Sequence, residues 1–216
     1  MDVYRSPNIG IFLKANDHFL MAPKGLALTK TQKISKMLDV SPVFVSVAGS
    51  RLLGPLAVMN NKGLLVSRLA EDKELREMRE QTGMIVERLE SRYTAAGNLI
   101  VANDKHAIAS PILEQKAINQ IKDVLGTEVS CLSIGKYNQI GAFIVATNSG
   151  AATYPNLKDE ETSKISELLG VEASPASVNG GVPYIASGIV ANSKNAIVGS
   201  LTTGPELVFI TRALRV

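Results

Sequence analysis

Five copies of one short pattern run along the chain and limit what it can fold into. The stretches "IGIFLKAND", "LGPLAVMNN", "AGNLIVAND", "IGAFIVATNS" and "ASGIVANS" are apolar, β-rich runs that end at an Asn-led turn. The asparagines are Asn16, Asn60, Asn103, Asn148 and Asn192, spaced 44, 43, 45 and 44 residues apart. A glycine stands six residues before the Asn at Gly10, Gly54 and Gly97, and seven before it at Gly141; the fifth copy has Ala186 there. A period of this length marks a repeat architecture, in which each unit buries its apolar face on its neighbours. The 216 residues hold five such units with nothing left over.

After each Asn comes a second apolar run: "HFLMAP", "GLLVSR", "HAIAS", "GAATYP" and "AIVGS". Run, turn and run predict a β-hairpin. A helical pattern follows. "KTQKISKML" places Ile34, Met37 and Leu38 on one face, and "EDKELREM" places Leu75 and Met78 there. "QKAINQIKDVL" and "DEETSKISELL" repeat the spacing of a helix buried on one side. A third strand comes next in "PVFVSVAG", "MIVERLE", "EVSCLSIG" and "VEASPASV", so the unit is β-β-α-β.

The fifth unit lacks a third strand. Thr203 with Glu206 three residues on is a capping box, and it predicts a last helix from about Pro205 to Leu214. "MDVYRS" precedes the first hairpin as the other third strands precede theirs. The expectation is an α/β fold of five β-β-α-β repeats in a closed pseudo-fivefold ring. It forms one domain over 1–216, with repeats at 8–51, 52–92, 93–136, 137–181 and 182–216, closed by the N-terminal strand 1–6. Closure also removes an open sheet edge. A propeller with all-strand blades is excluded by the helix in each unit.

Composition narrows the function. Apolar residues make up 45% of the chain and charged residues 20%, which excludes intrinsic disorder. The net charge of +3 comes from scattered residues that mostly share helices with acids, as in "EDKELREMRE". That argues against direct nucleic-acid binding as the main function. One cysteine cannot form an internal disulfide, no apolar run is long enough to span a bilayer, and the N-terminus has no signal pattern. A cytoplasmic, membrane-free protein is expected.

The strings "NIGIF", "VAGSRLLGPLAVMNNKGLLV", "AAGNLIVANDKHAIASP", "GVEASPASVNGG" and "GIVANSKNAIVGSLTTGPEL" resemble the translation initiation factor 6 family, the ribosome anti-association factors of archaea and eukaryotes. The unit order resembles the pentein, or α/β propeller. The resemblance covers the whole chain. It implies a non-enzymatic monomer that binds the large ribosomal subunit, contacting ribosomal protein near the sarcin–ricin loop RNA and blocking the small subunit. It implies release by a maturation factor of the Shwachman–Bodian–Diamond type, and no cofactor or metal. Eukaryotic members carry a C-terminal tail, so the expected form is archaeal.

Penteins also include guanidine-modifying enzymes with a Cys, a His and acids at the centre, which is the alternative reading. Cys131 is the one candidate nucleophile. It has no basic neighbour in sequence, and it reads as a small buried hydrophobe. His18 and His106 read as polar turn residues, since no metal-ligand spacing accompanies them. The five asparagines read as turn-formers. The repeated glycines read as relief of crowding near the ring centre, and the charge run 71–80 as a solvated helix face.

Each inner strand should run from a Gly-containing entry to an Asn turn, which gives the ring two faces. The entries differ more between repeats than the turns do, as an asymmetric binding face requires. The cluster Arg51, Leu52, Leu53, Gly54 and Pro55 is expected to be exposed and to anchor a partner. The family resemblance implies ribosome-facing roles for Gly10, Arg51, Leu53, Gly54, Pro55, Gly97 and Asn98. Eukaryotic members have Arg where Pro55 stands, so a charged contact at that point is lost or moved to Arg51.

Overall fold

Each hairpin is built around one buried polar side chain. Asn60 Oδ1 accepts from the backbone N–H groups of Lys62 and Gly63, both at 3.0 Å. Asn16, Asn103 and Asn192 do the same for the residues two and three places on. Such a side chain satisfies the turn's own donors, so no strand partner is needed there. The fourth unit uses Thr147, whose Oγ1 accepts from Ser149 and Gly150. Asn148, expected in this role, lies one place further on and is exposed. With Thr147 as the equivalent residue, Gly141 stands six places before it, as the other glycines do.

The computed structural model describes Met1–Val216. Unit 1 holds β1 (Lys14–Ala15), β2 (Phe19–Pro23), α1 (Leu28–Leu38) and β3 (Ser41–Val45). Unit 2 holds β4 (Ala57–Met59), β5 (Gly63–Val66), α2 (Asp72–Thr82) and β6 (Ile85–Arg88). Unit 3 holds β7 (Ile100–Ala102), β8 (His106–Ala109), α3 (Gln115–Leu125) and β9 (Glu128–Cys131). Unit 4 holds β10 (Ile144–Ala146), β11 (Ala151–Thr153), α4 (Asp159–Leu169) and β12 (Ala173–Pro175). Unit 5 has β13 (Ile189–Ala191), β14 (Ala196–Val198) and α5 (Gly204–Leu214). In every three-stranded sheet the hairpin pair is antiparallel and the third strand joins parallel, after the crossover helix.

Two local expectations fail. A one-turn helix precedes each inner strand, at Ile9–Ile11, Leu53–Leu56, Ala96–Leu99, Ile140–Phe143 and Ile185–Ser187. The apolar runs had read as continuous strand, and short apolar runs do not distinguish the two. Met37, assigned to the buried face of α1, is 48% exposed. Ile34 and Leu38 are fully buried there, and they already fill the stripe.

The core is divided into five clusters, and each draws on two units. Val58 and Leu65 of unit 2 pack with Ile121 and Leu125 of α3. Met21 of unit 1 joins Leu75 and Met78 of α2. Val101 and Ile108 join Ile165 of α4, and Ala152 joins Ile210 of α5. Val190 and Ile197 of unit 5 join Ile34 and Leu38 of α1. No unit therefore buries its apolar face alone. Residues 1–6, expected as a strand, form none: Val3 and Ser6 bridge to each other across a turn at Tyr4 and Arg5, both at positive φ, and only Met1 lies along β14. Met1 donates to Val198 O at 2.9 Å and accepts from Ser200 N at 2.9 Å, a parallel pattern about Gly199. Val3 is fully buried in the shared cluster.

Candidate functional site

The strand directions give the molecule two unlike ends. Inner strands begin at the one-turn helices and finish at the hairpins, so all five entries gather at one end. The glycines there are held by close packing. A Cβ on Gly54 would lie 1.9 Å from Gly10 O, and one on Gly97 would lie 1.9 Å from Gly54 O. Gly141 stands likewise against Gly97 O, and Gly10 against Ala186 O. Gly10 and Gly97 are buried, while Gly54, Pro55 and Asn98 are half-buried around a central cavity of about 240 Å³. Close backbone approach is the reason for glycine at this place.

Leu53, expected in the exposed anchor, is fully buried and belongs to the core shared by units 1 and 2. The one-turn helix explains this, because it turns Leu53 inward and leaves Leu52 44% exposed. Arg51 is exposed, and its guanidinium lies 5.3 Å from the centre of the Tyr4 ring.

That pairing repeats. Arg92 lies 4.9 Å from the Tyr93 ring and Lys136 lies 5.8 Å from the Tyr137 ring. Arg92–Tyr93 and Lys136–Tyr137 are sequence neighbours where a third strand turns into an entry helix, whereas Arg51 reaches from such a place to Tyr4, ahead of the first entry helix. Tyr184, half exposed, occupies the same region of unit 5. Cation–π contacts at exposed sites contribute roughly 0.5–1 kcal/mol each. They also hold long cationic side chains in defined positions. The entry end thus carries tyrosines and cations of which sequence reading singled out Arg51 alone, although Arg92–Tyr93 and Lys136–Tyr137 stand at the same offsets before Gly97 and Gly141.

The turns that carry these side chains are fixed by carboxylates from the helix N-termini. Glu74, buried within the acidic run read as a solvated face, accepts from Ala48 N and Gly49 N at 2.7 and 2.9 Å. Glu114 accepts from Ser91 Oγ and Arg92 N. Glu206 accepts from Ser177 Oγ, Gly180 N and Gly181 N, as well as from Thr203 within the capping box. Burial opposes the charge on Glu206, but these bonds outweigh it and hold its pKa down to about 2.

The opposite end is closed by a hub of Asp17, Asn61, Asp104, Asn148 and Ser193. The backbone N–H of each donates to the side chain of the next: Asp17 to Asn61, Asn61 to Asp104, Asp104 to Asn148, Asn148 to Ser193. Ser193 N returns to Asp17 Oδ1 at 2.7 Å. The amides of Asn61 and Asn148 both donate to Oδ2 of Asp17 and of Asp104. The hub carboxylates are therefore saturated by protein donors.

Cys131, expected to be buried, is exposed at the end of β9, a sheet edge. Partial covering pushes its thiol pKa up, away from a reactive thiolate. His18 is exposed, and His106 Nδ1 lies 3.2 Å from Leu169 O in another unit. No group of three His, Cys, Asp or Glu side chains converges for a metal. No helix is long and apolar enough to cross a membrane.

The sequence model described as the eIF-6 family matches residues 1–213. The chain belongs to the eIF-6 family. "Translation initiation factor 6" of Nitrosopumilus maritimus is 53% identical over 212 residues, covering 98% of this chain and 96% of that one. Its namesake in Aeropyrum pernix is 44% identical over 218 residues, covering 99% and 93%. Membership places the chain among translation factors rather than enzymes. Among solved structures, the DDAH of Pseudomonas aeruginosa, a C249S mutant complexed with citrulline, matches with a TM-score of 0.52 at 14% identity. The match covers 87% of this chain and 75% of that one. The N-terminal domain of ArgZ, an arginine dihydrolase, matches at 0.51 and 14% identity, covering 74% and 65%. At that identity the likeness concerns the fold alone. The cavity lining here carries no Cys, His or carboxylate.

Proposed function

We propose that the chain is a translation initiation factor 6 that binds the large ribosomal subunit and sterically prevents its association with the small subunit. The reading is of one domain, a closed pentein ring of five units, acting as a cytoplasmic monomer. Support for the ring comes from the hub, whose fifth hydrogen bond leads back to the first residue, and from the core shared by units 5 and 1. Support for the function comes from family membership over nearly the whole chain. A ring of this size has a radius of gyration of about 17 Å. That is thick enough to keep two subunit faces apart without any chemistry.

The entry end is the proposed contact face. The observation that carries it is the set of exposed cations Arg51, Arg92 and Lys136, each held against a tyrosine ring. Interface hot spots favour Tyr and Arg held rigidly among neighbours that exclude water. Arg51, Pro55 and Asn98 remain proposed contacts. Gly10, Gly54 and Gly97 would act by shaping the face, and Leu53 by supporting it from beneath. Ribosomal protein near the sarcin–ricin loop is the proposed partner surface, and a factor of the Shwachman–Bodian–Diamond type the proposed release agent.

The test is co-sedimentation with separated ribosomal subunits. Wild type should pellet with the large subunit and lower the yield of joined ribosomes. Leu52→Glu with Arg92→Glu should remove both effects while leaving the melting temperature unchanged. Pelleting with neither subunit would refute the function. Undiminished binding by the folded double variant would move the face.

A further inference from the structure

Lys14 stands two residues before Asn16 on the inner strand of unit 1. The residues two places before Asn60, Asn103, Thr147 and Asn192 are Val58, Val101, Val145 and Val190. Four of five units carry valine, so the architecture asks for a small apolar side chain and unit 1 departs from it. Lys14 is the one charged residue lining the central cavity. The residue is half-buried and is part of the cavity wall.

Burial alone pushes the Lys14 amine down, to about 8. No carboxylate offsets it. Asp17 and Asp104, at the hub end, are already occupied by Asn61 and Asn148. A cation in apolar surroundings with no counter-ion costs free energy, which an anion entering the cavity would recover.

We propose that the central cavity binds a small aliphatic monocarboxylate, its carboxylate on Lys14 Nζ and its chain against the inner-strand valines. The single positive charge matches a single negative one. A phosphate dianion would bring a second charge with no cation to meet it. The volume of about 240 Å³ lies below the roughly 300–1,000 Å³ of drug-sized sites, so the ligand is short. Seventeen of the 25 lining residues are hydrophobic, which favours an alkyl chain over a sugar or a polyol. Half-buried Pro55 and Asn98 and exposed Tyr184 also line the cavity, so it opens at the entry end.

The test is calorimetric titration of the full chain with butyrate, pentanoate and hexanoate, with hexanol and inorganic phosphate alongside. Saturable one-to-one binding of hexanoate is expected, gaining about fourfold per methylene along the series. Lys14→Val, which installs the residue of the other four units, should fold and bind hexanoate at least tenfold more weakly. Lys14→Met serves if that variant does not fold. NMR should show the Lys14 amine pKa rising when hexanoate saturates the site, since an anion favours the charged form. No saturable hexanoate binding, equal binding by a folded Lys14 variant, or phosphate bound as tightly as hexanoate would each overturn the proposal.

Discussion

Ser193 N–H donates to Asp17 Oδ1 at 2.7 Å across 176 residues of sequence. The same carboxylate accepts from Ser193 Oγ and from the amides of Asn61 and Asn148. Burial works against the Asp17 charge, yet these bonds hold its pKa below the usual carboxylate range. Asp17 is thus the joint between the first unit and the fifth.

Asp17→Ala leaves these donors without their acceptor. Donors deprived of a partner cost about 1–3 kcal/mol when buried, less where water reaches them. A loss of roughly 2–4 kcal/mol is expected, which for a chain this size lowers the melting temperature by roughly 4–16 °C. Asp159→Ala, at an exposed place in the first turn of α4, should change it by less than a quarter as much. Calorimetry of both variants checks the difference.

Gly97→Ala should be far worse than Gly204→Ala. The new methyl of the first would lie 1.9 Å from Gly54 O and 2.5 Å from Ala57 O, which are backbone atoms that cannot turn aside. The second has nothing within 4 Å and stands at the start of α5. Alanine there should be neutral or stabilising by up to about 1 kcal/mol. Gly97→Ala should cost several kcal/mol or abolish soluble expression. If it folds with native stability, the close packing of the entries is wrong.

The β-β-α-β order, the five long helices and the hairpins were legible because they rest on periodicity and on turn chemistry within one unit. α3 and α4 fall where the spacing puts them, and Thr203 and Glu206 form the capping box they spell. What misled was chemistry that crosses units. Asn148 looked like a turn residue by letter, but the turn needs only a side-chain oxygen, and Thr147 supplies it. Leu53 looked exposed because nothing in "SRLLGP" signals a one-turn helix. Glu74 looked solvated because its partners, Ala48 and Gly49, belong to another unit. Tyr93 and Tyr137 share one offset, four places before Gly97 and Gly141, but Tyr4 and Tyr184 depart from it, so no fivefold aromatic pattern marked the entry end.

The carboxylate of Glu206 makes stability depend on acid. Its pKa is about 2 in the folded chain against 4.5 for the free group, so the folded state favours the charged form. The contribution is complete above about pH 4.5 and is lost as pH falls toward 2. It is worth about 3 kcal/mol. Glu206→Gln should therefore lower stability at pH 7 and flatten the part of the pH profile between about 4.5 and 2. Urea unfolding at several pH values measures both. An unchanged slope below pH 4.5 would mean that other carboxylates, Glu74 among them, carry the acid sensitivity.

The entry end and the hub end should answer differently to salt and to mutation in the sedimentation assay. Arg51, Arg92 and Lys136 are exposed cations at the entry end, each over a tyrosine. Replacing any one by Ala removes a contact that is partly electrostatic, and large-subunit binding should weaken about three- to thirtyfold, or roughly 0.7–2 kcal/mol. Asn192→Ala, at the far end, should instead lower the melting temperature, because Lys194 N and Asn195 N lose their acceptor and Leu38 O its donor. Its affinity should stay within about twofold. If the partner surface is mainly protein, raising salt from 50 to 200 mM should weaken binding far less than the roughly thousandfold or more lost by a protein with six to ten phosphate contacts. Should the salt effect reach that size and vanish in the triple Ala variant, the cations meet RNA phosphates directly. Should Asn192→Ala alone lose binding while still folded, the contact face is the hub end.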